Sequence, residues 1–112
     1  METVNKVWFI TGASNGFGLA LVKQLLEGGY KVAATSRNKT RLEEKAGTSP
    51  NLLALTVDIT NNDDVKSAIE ETVKTFGKID VAVNNAGYML LGALEEVSDE
   101  EFRQSVNVNV FA

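Results

Sequence analysis

Three glycines near the start of the chain are spaced so that backbone amides could hold a phosphate group. They lie in the segment Thr11-Gly12-Ala13-Ser14-Asn15-Gly16-Phe17-Gly18, which follows an apolar run and precedes a helical pattern of apolar residues. Glycine permits a sharp turn and a close approach by a ligand where a Cβ atom would collide. Free amides and the helix dipole favour an anion at a helix N-terminus. The spacing T-G-x-x-x-G-x-G therefore predicts a phosphate-binding turn.

Strand and helix patterns alternate along the chain and place this turn between the first strand and the first helix. The predicted strands are residues 6–11, 31–36, 52–57 and 79–84. The predicted helices are residues 15–27, 41–46 (opened by the capping-box pattern Thr40-x-x-Glu43) and 63–76, and a last one from behind Ser98 at least to Val110. Short apolar strands are typical of a parallel sheet covered on both faces. We therefore predict an α/β fold with a doubly wound, Rossmann-type sheet.

The order of the strands decides where a ligand would lie. If the order is 3-2-1-4, the switch point lies between the first and fourth strands. A ligand should then lie over residues 12–18 and the residues that follow Val83.

Composition narrows the possible classes of function. With 112 residues the chain forms at most one domain and is short for a complete dinucleotide enzyme. A net charge of −4 gives no support for nucleic-acid binding, and the absence of cysteine and histidine removes the usual metal ligands and the commonest general base. The first predicted strand leaves no room for a signal peptide, and no apolar run approaches membrane-spanning length. We expect a cytoplasmic domain with no metal site and no membrane partner.

Four motifs occur together in a fixed order. The glycine turn is followed by Asp58 at the end of the third strand, Asn84-Asn85-Ala86-Gly87 at the end of the fourth, and Asn109 in the predicted last helix. Together they resemble the N-terminal half of a short-chain dehydrogenase/reductase, over essentially the whole chain. The segments 7–12 and 85–88 are also similar to the hydroxysteroid-dehydrogenase-like branch. The resemblance implies an oxidoreductase that transfers hydride between a nicotinamide cofactor and a carbonyl or alcohol, and that forms a homo-oligomer.

The resemblance also assigns expected roles to the residues of the turn and of the third strand. The pyrophosphate and the adjoining ribose would be lined by Gly12, Ser14, Gly16, Phe17 and Gly18, with Asn15 near the adenosine ribose. Asp58 would accept a hydrogen bond from the adenine amino group, beside the amide of Ile59.

Later motif residues receive roles in the same way. Asn85, Ala86 and Gly87 would run under the adenosine while their backbone ties the sheet together. Asn109 stands where the family has an asparagine that helps to hold a water in the proton relay; it does not perform the chemistry itself. The chain departs from the family at Ala112, where glycine is more usual.

The end of the second strand bears on the choice of cofactor. NAD-specific sheets commonly end this strand with a carboxylate that binds both ribose hydroxyls, whereas this chain has Ser36 and Arg37 and no acid between Val32 and Lys39. A guanidinium pairs with a 2′-phosphate, and a serine hydroxyl can add a hydrogen bond. The pattern predicts NADP(H) rather than NAD(H). Asn15 departs from it, because many NADP-preferring relatives carry a basic residue there.

Each of these residues also has a purely structural interpretation. Arg37 could be a solvated loop cation, and Asp58 could support the turn to the next helix together with Thr60. Asn85 could be a turn residue and Asn109 a polar helix residue. The acidic residues from Glu95 to Glu101 are interpreted as a solvated helix start and not as a metal site.

The chemistry of the family needs a tyrosine four residues before a lysine. Here Tyr30 is followed at that spacing by Ala34, and Tyr88 by Gly92. The chain could therefore be the cofactor-binding part of an NADP-dependent enzyme, a non-catalytic nucleotide-binding module or truncated product, or another Rossmann-type enzyme. We expect the native chain to continue for at least about another hundred residues, because residues 79–83 would otherwise form an open apolar sheet edge.

Overall fold

The computed structural model describes residues 6–13, 16–58, 60–84 and 107–110 of the chain. Strands and helices alternate through most of this length. The elements are β1 (Val7–Ile10), α1 (Gly16–Glu27), β2 (Lys31–Ser36), α2 (Lys39–Ala46), β3 (Leu52–Thr56), α3 (Asn62–Phe76), β4 (Val81–Asn84) and β5 (Asn107–Val110).

The five strands form one parallel sheet in the order β3-β2-β1-β4-β5. β1 lies between β2 and β4, so that Phe9 is in register with Ala33 on one side and with Ala82 on the other. This order includes 3-2-1-4, the condition on which the expected switch point depended, and the doubly wound, Rossmann-type class is confirmed. The carboxyl ends of all the strands consequently meet at one edge of the sheet.

Both faces of the sheet are buried under helices. Phe9 belongs to a cluster with Val65 and Ile69 of α3, whereas its neighbour Ile10 belongs to a cluster with Val22 of α1 and Leu42 of α2. Successive strand residues point to opposite faces, so β1 supplies both clusters from adjacent positions. This explains why the strands are apolar without a polar alternation.

Helix α2 begins two residues earlier than the capping-box pattern predicted. Asn38 is its N-cap, and the Asn38 side chain accepts a hydrogen bond from the Arg41 N–H at 3.2 Å. The interpretation of Thr40 and Glu43 as the start of the helix is therefore wrong. Asparagine ranks above threonine as an N-cap, and two hydrogen bonds between the Ser36 hydroxyl and the Asn38 backbone hold Asn38 at the start of the helix.

The prediction of a last helix through Val110 is wrong over its final residues. Residues 107–110 form strand β5, paired in parallel with β4 through registers that include Val83 with Asn109. The sequence Asn-Val-Asn-Val has the period of two and the β-branched residues that favour strands, and an unpaired β4 edge would attract such a segment. Asn109 thus lies in a strand, and β4 is not an open edge. The predicted start of that helix lies outside the described residues.

Among the residues that the structure describes, no helix is both long and apolar enough to cross a membrane.

Candidate functional site

The glycine turn lies between β1 and α1 at the carboxyl edge of the sheet. Gly12 has φ of 64° and Gly16 has φ of 56°, in the left-handed region that side chains disfavour. A Cβ atom at Gly16 would meet nothing within 4 Å. Gly16 is therefore required by backbone conformation, and the space beside it is open to a ligand.

Two backbone hydrogen bonds tie this turn to the neighbouring strands. The Thr11 N–H donates to the Val83 carbonyl at 3.1 Å, and the Ala13 N–H donates to the Thr35 carbonyl at 3.0 Å. The turn is thus held against β4 on one side and β2 on the other. Such anchoring positions the turn over the switch point between β1 and β4, where doubly wound sheets bind ligands.

The N-terminus of α1 leads out of the turn. This helix has twelve residues and no acidic residue in its first turn, so its positive dipole end is not neutralised there. Phe17 is 50% exposed, whereas Gly18 is buried in the helix. An anion is the ligand that this helix end favours.

At the end of β2, Ser36 and Arg37 differ in exposure and in hydrogen bonding. Ser36 is buried, and its hydroxyl donates to the Asn38 carbonyl and accepts from the Asn38 N–H, both at 2.9 Å. Its single hydrogen is engaged in the turn, so donation to a phosphate would require this bond to break. Arg37 is exposed, and its guanidinium adds to the positive charge of the α1 N-terminus at the same edge of the sheet.

Asp58 follows β3 and caps the turn toward α3. One of its carboxylate oxygens accepts from the Thr60 hydroxyl at 2.6 Å and from the Thr60 N–H at 2.9 Å. The hydrogen bond from the Thr60 hydroxyl lowers the pKa of Asp58, as do the Thr60 N–H and, to a smaller extent, the attraction of Arg37. Asp58 therefore supports the turn toward α3 together with Thr60, and these hydrogen bonds favour the ionised form of its carboxylate.

Most of the sequence-predicted residues that are described meet at this one edge. They lie at or just beyond the carboxyl ends of β1, β2 and β3: Gly12, Gly16, Phe17, Gly18, Ser36, Arg37 and Asp58. Ser14, Asn15, Ile59, Asn85, Ala86 and Gly87 lie outside the described residues. Asn109 lies in β5 opposite Val83, and the backbone alone is described there.

Sequence reasoning missed one polar residue at this edge. The Thr56 hydroxyl, at the end of β3, accepts a hydrogen bond from the Lys39 N–H at 3.2 Å. A threonine at the end of a strand is common, and nothing in the sequence indicates that its partner lies 17 residues earlier. Only the pairing of β2 with β3 brings the two together.

The comparison with protein families agrees with this architecture. The sequence profile described as short chain dehydrogenase matches residues 6–112. The chain belongs to the short-chain dehydrogenase/reductase family. Members of this family are oxidoreductases, and the chain corresponds to the N-terminal part of a family member.

Individual relatives support this membership over nearly the whole chain. Oxidoreductase BOA17 of Botryotinia fuckeliana is 37% identical over 110 residues, covering 96% of this chain and 40% of its own length. The 3-ketodihydrosphingosine reductase of Bacteroides thetaiotaomicron is 39% identical over 106 residues, covering 95% of this chain and 37% of its own length. The chain thus spans about two fifths of these two relatives.

Solved structures of the family share the fold. The 3-ketoacyl-(acyl-carrier-protein) reductase of Brucella melitensis, complexed with NADH, is 43% identical with a TM-score of 0.67, over 73% of this chain and 34% of that one. Apo glucose dehydrogenase of Caenorhabditis elegans is 37% identical with a TM-score of 0.70, over 78% of this chain and 40% of that one. This short-chain dehydrogenase/reductase chain therefore resembles both a cofactor-bound and a cofactor-free relative.

Proposed function

We propose that this chain is the N-terminal part of a single NADP(H)-binding domain, in an oxidoreductase that transfers hydride between the cofactor and a carbonyl or alcohol. The observation that carries the proposal is the glycine turn. It is anchored to both neighbouring strands, opens beside Gly16, and leads into a helix whose positive end has no acidic residue. These features suit a pyrophosphate.

The described residues fit a dinucleotide along the carboxyl edge of the sheet. Gly12, Gly16, Phe17 and Gly18 would hold the pyrophosphate together with Ser14, with Asn15 near the adenosine ribose. Asp58, ionised as the structure holds it, would accept from the adenine amino group, with the Ile59 amide beside it. Asn85, Ala86 and Gly87 would run under the adenosine. The cofactor itself supplies the hydride chemistry.

The preference for NADP(H) rests on charge at the end of β2. Arg37 is exposed next to Ser36, and Asp58, in the connection that follows β3, accepts two hydrogen bonds from Thr60. A guanidinium pairs with a 2′-phosphate, whereas the carboxylate that recognises an unphosphorylated ribose has no counterpart in β2. Ser36 would contribute by shaping the turn, because its hydroxyl hydrogen is donated to Asn38.

Turnover requires a proton donor in addition to the cofactor. The tyrosine–lysine pair used by the family does not occur within these 112 residues, which span about two fifths of the relatives' length. Cofactor binding without turnover, in a nucleotide-binding module or a truncated product, is the second candidate function. Asn109 would support a proton relay only. We also propose a small-molecule substrate, a homo-oligomer and a cytoplasmic location for the native protein.

Titration of the native protein with each cofactor tests the proposal. NADPH should bind roughly ten- to a hundredfold more tightly than NADH, since a hydrogen-bonded charge contributes about 1.5–3 kcal/mol. Arg37→Ala should remove most of this difference in the fluorescence-derived dissociation constants. Lys74→Ala, which removes an exposed positive charge from α3, should leave it unchanged.

The two parts of the proposal fail in different ways. Equal affinities for NADPH and NADH in the wild-type protein would contradict the assignment to Arg37. Failure to bind either cofactor would contradict the nucleotide site as a whole. NADPH oxidation with a panel of ketones and aldehydes separates the enzyme from the binding module.

A further inference from the structure

The connection that carries Arg37 is held by β3 on both sides of that residue. Before Arg37, the Ser36 carbonyl accepts from the Val57 N–H at 2.8 Å. After it, the Lys39 N–H donates to the Thr56 hydroxyl at 3.2 Å. Thr56, the last residue of β3, and Val57, which follows it, thus hold the turn from β2 to α2 at both of its ends.

The two hydrogen bonds that hold the turn differ in the groups that form them. The bond from Val57, the residue after β3, joins two backbone groups and continues the pairing of β2 with β3, so it can form with any side chain. The bond to Thr56 depends on a hydroxyl, and Thr56 is exposed at the end of an outer strand of the described sheet. An exposed hydroxyl in that place is not needed to fill the core. Its removal should therefore release the turn without unfolding the sheet.

Hydrogen bonds within the turn also hold its backbone in place. The Ser36 hydroxyl bridges the N–H and the carbonyl of Asn38, and the Asn38 side chain caps α2. Arg37 consequently projects from a short segment whose backbone is fixed before, within and after it. Recognition of a phosphate by a guanidinium depends on orientation, and preorganisation reduces the cost of binding.

We propose that Thr56 is a positioning residue for cofactor discrimination, because it fixes the turn that presents Arg37 to the 2′-phosphate. This inference rests on the proposed function. NADH carries a hydroxyl where NADPH carries the 2′-phosphate, so Thr56 acts on NADPH affinity and leaves NADH affinity unchanged. A merely structural role would weaken both cofactors alike.

The test measures dissociation constants for both cofactors in the native protein. Thr56→Val keeps the β-branched shape and removes the hydroxyl, and should weaken NADPH binding roughly two- to tenfold, the worth of one neutral hydrogen bond, with NADH unchanged. Thr56→Ser keeps the hydroxyl and should restore the wild-type ratio. Thr48→Val makes the same substitution at an exposed loop position beyond α2 and should have no effect.

A double variant distinguishes positioning of Arg37 from other effects. In the Arg37→Ala background, Thr56→Val should cause no further loss of NADPH affinity, because the guanidinium that Thr56 positions has been removed. Thr56→Ala serves in place of Thr56→Val if thermal melting shows that the valine variant is unfolded.

Unchanged NADPH affinity in Thr56→Val, equal weakening of both cofactors, or additive losses in the double variant would each overturn the inference while leaving the proposed function in place. Failure of the wild-type protein to bind either cofactor would overturn both.

Discussion

The carboxylate of Asp58 is held in its charged form by a residue two positions along the chain. The Thr60 hydroxyl contributes most to the lowered pKa, followed by the Thr60 N–H, with a smaller attraction from Arg37. The same Asp58 residue donates its own N–H to Asp64 at 3.1 Å. At the scale of single residues, the ionised side chain of Asp58 can therefore accept, but not donate, a hydrogen bond.

This arrangement predicts a change in the titration of Asp58. Thr60→Val removes the hydroxyl donor and should raise the pKa of Asp58 toward its ordinary value, as followed by NMR titration of the carboxyl carbon. A folded pKa below the unfolded one stabilises the protein above the ordinary value of 3.8, and this stability is lost as pH falls through the lowered pKa. The variant should therefore lose less stability than the wild type in that acidic window. An unchanged pKa would mean that the hydroxyl is not the main cause.

Backbone conformation makes a second prediction at this scale. Gly16 has φ of 56° with open space beside it, so a methyl group there causes strain without a collision. Gly16→Ala should cost about 1–2 kcal/mol in the free energy of unfolding. Gly16→Asn, which tolerates the left-handed region better, should cost less although its side chain is larger. A larger loss for Gly16→Asn than for Gly16→Ala in denaturant titrations would show that the available space, and not φ, determines the cost.

At the scale of elements, α3 shows how local residues set the boundaries of a helix. The Asn61 side chain accepts from the N–H groups of Asp63 and Asp64, at 3.0 and 3.2 Å. The helix ends at Gly77, whose φ of 89° is the left-handed C-cap conformation. Both ends follow from residues that lie within three positions of them, which is why this helix was predicted to within one residue.

Loss of the N-cap should destabilise α3 measurably. Asn61→Ala leaves two amides of the first turn without their acceptor and should lower the free energy of unfolding by about 0.5–2 kcal/mol. Asn61→Ser supplies another capping oxygen and should retain most of the stability. Equal losses in the two variants, measured by urea denaturation, would show that the cap is not the cause.

At the scale of the whole molecule, the sheet separates two hydrophobic clusters. Phe9 is fully buried and stands between Ala33 and Ala82 on the adjacent strands, so its ring occupies the face that α3 covers. The small neighbours leave room for one large side chain at the centre of the sheet. Phe9 is thus a single residue on which the packing of β1, β2, β4 and α3 converges.

Truncation of this side chain should be costly. Phe9→Ala should destabilise the protein by about 3–5 kcal/mol, which is a large fraction of the stability of a typical domain. Leu55→Ala, at a half-buried position beside the same cluster, should cost less because solvent already reaches it. Similar losses for the two variants in denaturant titrations would contradict the central role of Phe9.

The parts of this protein that sequence determined are those with a local cause. Strand β2 was predicted at its exact bounds, and the turn at Gly12 and Gly16 was placed where φ is positive, because apolar runs and glycines act through their own backbone. The right-handed crossovers of parallel sheets predicted the doubly wound class, whereas the order 3-2-1-4 was only one possible arrangement until the strand pairing was known.

Only the tertiary structure decided the contacts between distant segments. Residues 107–110 carry both a helical and a strand pattern, and pairing with β4 selects the strand. Likewise, Ser36 could have bound either a ligand or its own turn, and Thr56 had no visible partner until β2 and β3 were aligned. In each case the local sequence does not identify the partner, so the outcome depends on the hydrogen-bonding groups that the fold brings together.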